Sequence, residues 1–175
     1  LHRHFPPSLH DDLLADVVRR PGYNAGDTLR LLPPFLKAFE VADEDVELFS
    51  AEGVLLVPGA QEALDKARSL MPAFIISTSY TPYLKALCAL ARFPMDNVRC
   101  TELTLDAWDM PEEEERWLRS QAAAIMSRDL IDIPEGAASV GDLSRADQEA
   151  VGMLDDLFWR QMDGRVSGGM LAAVR

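Results

Sequence analysis

Apolar residues recur at helical spacing through the first third of the chain. In "SLHDDLLADVVRR" (8–20), Leu9, Leu13, Leu14, Val17 and Val18 form one stripe, with Ser8 placed as N-cap and Pro21-Gly22 as a stop. "GDTLRLLPPFLKAFE" (26–40) opens on Asp27 as a cap, and Pro33-Pro34 should break or restart the helix there. "DEDVELFSAE" (43–52) gives a third short helix, so the first 52 residues read as helical with no strand signal.

The pattern then alternates. "PGAQEALDKARSL" (58–70) predicts a helix entered at Pro58, with Ala63, Leu64 and Ala67 on one face. "AFIIS" (73–77) is short, branched and apolar, as a buried strand should be. "TPYLKALCALAR" (81–92) predicts a helix with Thr81 at the cap and Pro82 in the first turn. "NVRCTEL" (97–103) reads as a second strand. Helix and strand in alternation imply a parallel sheet and an α/β layer.

Beyond residue 109 the chain reads as helical again. "MPEEEERWLRSQAAAIM" (110–126) puts Pro111 and four glutamates at the positive end of the helix dipole, a solvated first turn. "LSRADQEAVGMLDDLFWRQM" (143–162) is amphipathic, and Ser144 with Asp147 makes a capping-box-like start. Its apolar face is Ala150, Met153, Leu154, Leu157 and Phe158, so Asp155 and Asp156 should point to water. Residues 163–175 form a glycine-bearing turn and an unfinished apolar segment. The organisation expected is a helical cap-like region over 1–57, an α/β core segment over 58–109, and a helical segment over 110–175.

Composition narrows the functions. The 175 residues suffice for one ordinary domain, and a 48% hydrophobic, 26% charged chain reads as soluble and globular. A net charge of −12 argues against a general nucleic-acid binder or a protein docked on anionic membrane. No apolar run approaches the ~20 residues of a membrane-spanning helix, and no signal-peptide pattern opens the chain. Cys88 and Cys100 read as reduced core thiols of a cytoplasmic protein rather than a disulfide. The chain begins at Leu1 rather than a methionine, which leaves room for a natural start upstream.

The chemistry with most promise is the hydroxyl run Ser77-Thr78-Ser79, between the first strand and the helix opened by Thr81-Pro82. Ligands of open parallel sheets bind beyond the carboxyl ends of strands, where the next helix presents free N–H groups and a positive dipole end. Hydroxyls there can add hydrogen bonds to a phosphate. The plainer reading is that Ser79 or Thr81 caps the helix and the others face solvent. Elsewhere, Asp43-Glu44-Asp45 reads as a helix cap, and "GDLSRAD" (141–147) with Arg119 upstream reads as a helix start, not a metal motif. His2, His4 and His10 with Asp11 and Asp12 belong to a frayed terminus rather than a metal cluster. No Ser-His-Asp arrangement is available, because all three histidines fall in the first ten residues, and Gly168-Gly169 is no phosphate loop.

The stretches "VPGAQEAL", "AFIISTSYTPYL" and "FPMDNVRCTELTLD" together resemble the central part of a haloacid dehalogenase-like (HAD-like) phosphohydrolase. The branch most resembled is the one known as energy-converting hydrogenase A subunit R, which "RPGYNAGDTLRLLPPFLKAF" and "LDDLFWRQM" also resemble; the likeness covers roughly residues 11 to 175. It implies a Rossmann-like α/β core with a helical cap inserted after its first strand. It also implies an aspartate nucleophile in a D-x-D motif, Mg²⁺ as cofactor, and a phosphate-holding Ser or Thr at the end of a buried strand. Ser77 is the residue that matches this last position. The D-x-D at Asp43 and Asp45 follows no buried strand and has Glu47 where Thr or Val belongs, so the nucleophile and the Mg²⁺ ligands are expected outside this chain, beyond both its ends. This chain alone is then expected to be inactive. The rival expectation is a non-enzymatic interaction module or homodimer, packing through helices such as 143–162 with its Phe158 and Trp159.

Overall fold

The computed structural model describes residues 27–166 together with Val17, Arg19, Pro21 and Tyr23. The helix expected over 8–20, the histidine cluster and the glycine pair at 168–169 lie outside the described residues, apart from the isolated Val17 and Arg19. Among the described residues the fold is mixed α/β, mostly helical, with one small parallel sheet. It divides into two compact units, the first of the described residues up to Phe39 and from Met110 onward and the second of Glu40–Asp109. The helices expected within 1–57 are thus shared between both.

In the first unit a 3-10 turn, Asp27–Leu31, leads into helix α1 (Leu32–Ala38). Pro33 and Pro34 sit at its first helical positions, where a missing N–H costs nothing, so the prolines restart the helix as expected. The later helices of the same unit are α5 (Glu112–Met126) and α6 (Arg145–Asp156), followed by a π-helical turn, Leu157–Gln161, and α7 (Met162–Arg165). Phe35, Leu118, Ala122, Leu157, Phe158 and Met162 bury themselves in one cluster, each large apolar side chain gaining about 1.5–3 kcal/mol on burial. The amphipathic stretch 143–162 is real but not one regular helix, since its last turn widens to π geometry.

The second unit holds helices α2 (Asp43–Gly53), α3 (Ala60–Leu70) and α4 (Thr81–Ala91), and strands β1 (Ile75–Tyr80) and β2 (Val98–Thr101). Helix α4 packs against α2, and Leu84, Cys88, Ala91, Phe93 and Val98 form the core, flanked by Leu56, Leu64 and Ile75. Both cysteines are free thiols. Helix α3 starts two residues later than the sequence suggests, because Pro58 and Gly59 form a turn with Gly59 in left-handed backbone at φ 82°. Leu64 and Ala67 are half-buried as expected, whereas Ala63 is exposed. No helix among the described residues is long and apolar enough to cross a membrane.

Candidate functional site

Strand β1 pairs in parallel with β2, matching Ile75 to Val98, Ile76 to Arg99 and Tyr80 to Thr101. From Ile76 to Tyr80 is four residues, but from Arg99 to Thr101 only two, so β1 carries two extra residues between these pairs. Those extra residues fall within Ser77-Thr78-Ser79. The hydroxyl run is therefore a bulge in the ladder, a feature that re-aims side chains and gathers near binding sites. The strand does not end at Ser77, as its sequence suggests. It resumes at Tyr80 and passes directly into α4.

Three hydrogen bonds hold the bulge. The Ser79 amide donates to Ser77 Oγ at 3.1 Å, leaving the Ser77 hydroxyl its own hydrogen to donate. Thr101 Oγ1 donates to the Thr78 carbonyl at 2.8 Å, and Thr81 Oγ1 to the Thr101 carbonyl at 3.2 Å. Thr81 also lies 3.7 Å from Cys100 Sγ. The expected cap role of Thr81 is thus replaced: its side chain ties α4 to β2, and the N-cap residue is Tyr80. Neither Ser79 nor any other side chain caps α4, and its first turn holds no acidic residue. The first turn of that helix, beside the bulge, thus offers its positive dipole end without an acidic side chain of its own. Burial raises the Tyr80 hydroxyl far above its ordinary value and also raises the Cys88 thiol, with Cys100 adding a smaller push. Both stay protonated at neutral pH.

The remaining candidates take structural roles. Asp45 accepts the Ala42 amide at 2.9 Å and Asp43 accepts the Leu105 amide at 2.6 Å, so this D-x-D caps α2 and pins a loop. Asp142 accepts the Ala138 and Ser139 amides at 3.0 and 2.9 Å and the Ser139 hydroxyl at 3.0 Å, which holds its carboxyl below the usual range. Ser144 caps α6, accepting the Asp147 amide at 3.2 Å. Arg119 donates to the Ala38 carbonyl at 2.5 Å at the end of α1 and pairs with Glu115 at 2.8 Å. Asp155 and Asp156 are half-buried rather than pointing freely to water; Asp156 accepts from Gln161 at 2.5 Å and pairs with Arg160 at 3.6 Å.

The four-glutamate turn is not uniformly solvated either. Glu114 is buried, and with Pro111, Glu113, Trp117 and Arg165 it lines a cavity of about 410 Å³. Arg165 lies over the Trp117 ring at 5.2 Å. The spacing of Glu114 three residues before Trp117 was the available signal for a shared face, hidden by the charge run around it. Among the described residues, no three His, Cys, Asp or Glu side chains gather as metal ligands.

No family model matches the chain, and no curated protein does either. Among solved structures it is similar to that of gene product AF1437 from Archaeoglobus fulgidus, at 31% identity and a TM-score of 0.74. The match covers 99% of this chain and 49% of that one, so this chain spans about half the length of its structural relative.

Proposed function

We propose that this chain is part of a HAD-like phosphate-ester hydrolase, in which Ser77 holds the phosphate of a small phosphorylated substrate. The observation that carries the reading is the bulge at Ser77–Ser79, braced by Thr81 and Thr101 and opening onto an uncapped helix terminus free of acidic residues. Donors fixed before the ligand arrives need no reorganisation when charge develops on a transferring phosphoryl group. The nucleophilic aspartate and the carboxylates that would hold Mg²⁺ come from polypeptide outside these 175 residues, in a cytoplasmic protein.

The test is hydrolysis of p-nitrophenyl phosphate by the protein made from its whole reading frame, with and without Mg²⁺. The 175-residue chain should be inactive, and Ser77→Ala in the longer protein should lower kcat/KM by about 100-fold, the scale for one lost oxyanion donor. Full activity after Ser77→Ala, or activity in the 175-residue chain alone, would sink the assignment.

A second reading has its own observation. Phe49 is 77% exposed and Leu48 58%, on a helix whose other face packs on α4, an apolar surface of the kind that interaction modules and homodimers cover. Inactivity of the longer protein together with a stable dimer would favour it.

A further inference from the structure

We infer that the cavity at the start of α5 binds a free amino acid, with the ligand's carboxylate on Arg165, its ammonium on Glu113 and an apolar side chain against Trp117. Every lining residue lies in the first unit, so neither the phosphate seat nor hydrolysis enters this inference. At about 410 Å³ the cavity falls in the size range of small-molecule sites.

The sequence places the acidic and apolar parts of the lining together. Glu113 and Glu114 stand four and three residues before Trp117, so the three side chains neighbour one another along α5. Glu114 is buried, Trp117 half-buried and Glu113 exposed. Pro111, just before the helix, adds an apolar ring. The cation comes from a different element, since Arg165 is the last residue of α7.

Two charges of opposite sign therefore line one cavity, and they do not pair with each other. Among the described residues, Glu113 makes no hydrogen bond or ion pair and Arg165 meets no carboxylate. The Arg165 guanidinium instead lies over the Trp117 ring at 5.2 Å. Stacking uses the face of a guanidinium and leaves its in-plane N–H donors for a carboxylate, already oriented.

The lining selects its ligand by charge. A simple anion would meet the glutamates as well as Arg165. A simple cation would compete with Arg165 for the Trp117 ring and be repelled by it. A zwitterion satisfies both: its carboxylate accepts from Arg165 and its ammonium donates to Glu113, as charge-assisted hydrogen bonds. Trp117 and Pro111 favour an apolar or aromatic side chain on that amino acid.

The experiment titrates L-phenylalanine and L-leucine into the 175-residue chain by calorimetry, beside phenylalaninamide, which lacks the carboxylate, and 3-phenylpropionate, which lacks the ammonium. At least one amino acid should saturate the chain, and both analogues should bind at least about tenfold more weakly than phenylalanine, the scale of one lost hydrogen bond between charged groups. Glu113→Gln should weaken the amino acid about tenfold and leave 3-phenylpropionate unchanged. Arg165→Gln should weaken the amino acid likewise and leave phenylalaninamide unchanged. Both side chains are exposed, so neither exchange opens the core. Failure of both amino acids to saturate would overturn the inference, as would affinity that neither substitution alters. Phenylalaninamide binding as tightly as phenylalanine would also overturn it, and would assign the cavity to a cation. None of these results bears on phosphate-ester hydrolysis.

Discussion

Asp142 illustrates how much a single carboxylate's neighbours decide. By sequence it stands in a G-D motif that resembles an acidic metal site, yet two backbone amides and a hydroxyl already occupy it. Those donors lower its pKa. A carboxyl held lower in the folded than in the unfolded chain stabilises the fold above the unfolded value of about 3.9, and that stability is lost as pH falls through the folded value. Asp142→Asn should therefore flatten the acid limb of the stability profile while leaving Mg²⁺ binding unaltered, read by thermal unfolding between about pH 3 and 6. An unchanged acid limb would mean that these hydrogen bonds do not persist in solution. The Ser139–Asp142 spacing of three, a capping box in the structure, was a signal the sequence reading passed over in favour of Ser144 and Asp147. At Thr81 it misled: a threonine before proline looks like a cap, and only the nearness of β2, a long-range fact, shows that the hydroxyl serves Thr101 instead.

At the scale of elements, short-range signals were legible and long-range ones were not. Proline placement located the starts of α1 and α4, and the stripe over 143–162 located α6 with its buried Leu154 and the buried Leu157 and Phe158 of the π turn that follows. The Ser144 cap is a sharp case, and Ser144→Ala should cost about 0.5–2 kcal/mol, seen as a lower urea midpoint in the helical signal. No loss at all would show that water replaces the cap. The bulge in β1 was invisible beforehand, because it exists only relative to the register of β2. The π turn at Leu157–Gln161 was likewise hidden: its apolar residues fit a regular helix equally well. Ala63, read as inward by spacing, is exposed, while Leu64 and Ala67 are half-buried.

For the whole molecule, the α/β class followed from helix and strand alternation, and the structure bears it out with a parallel pair flanked by helices. What the alternation did not reveal is how little sheet these residues supply: two strands, one face covered, the other presenting Phe74 and Ile76. The match to the Archaeoglobus fulgidus structure covers 49% of that chain, and the function proposed above places the catalytic groups outside these residues. In that account this chain contributes a phosphate seat and not the catalytic groups. The seat can be tested without them, by titrating inorganic phosphate into the ¹⁵N-labelled 175-residue chain and following its backbone amides. The account predicts shifts confined to residues 77–84 and an affinity about tenfold weaker in Ser77→Ala, the scale of one hydrogen bond to a charged group. Shifts scattered over the surface, or an affinity that Ser77→Ala leaves untouched, would contradict it.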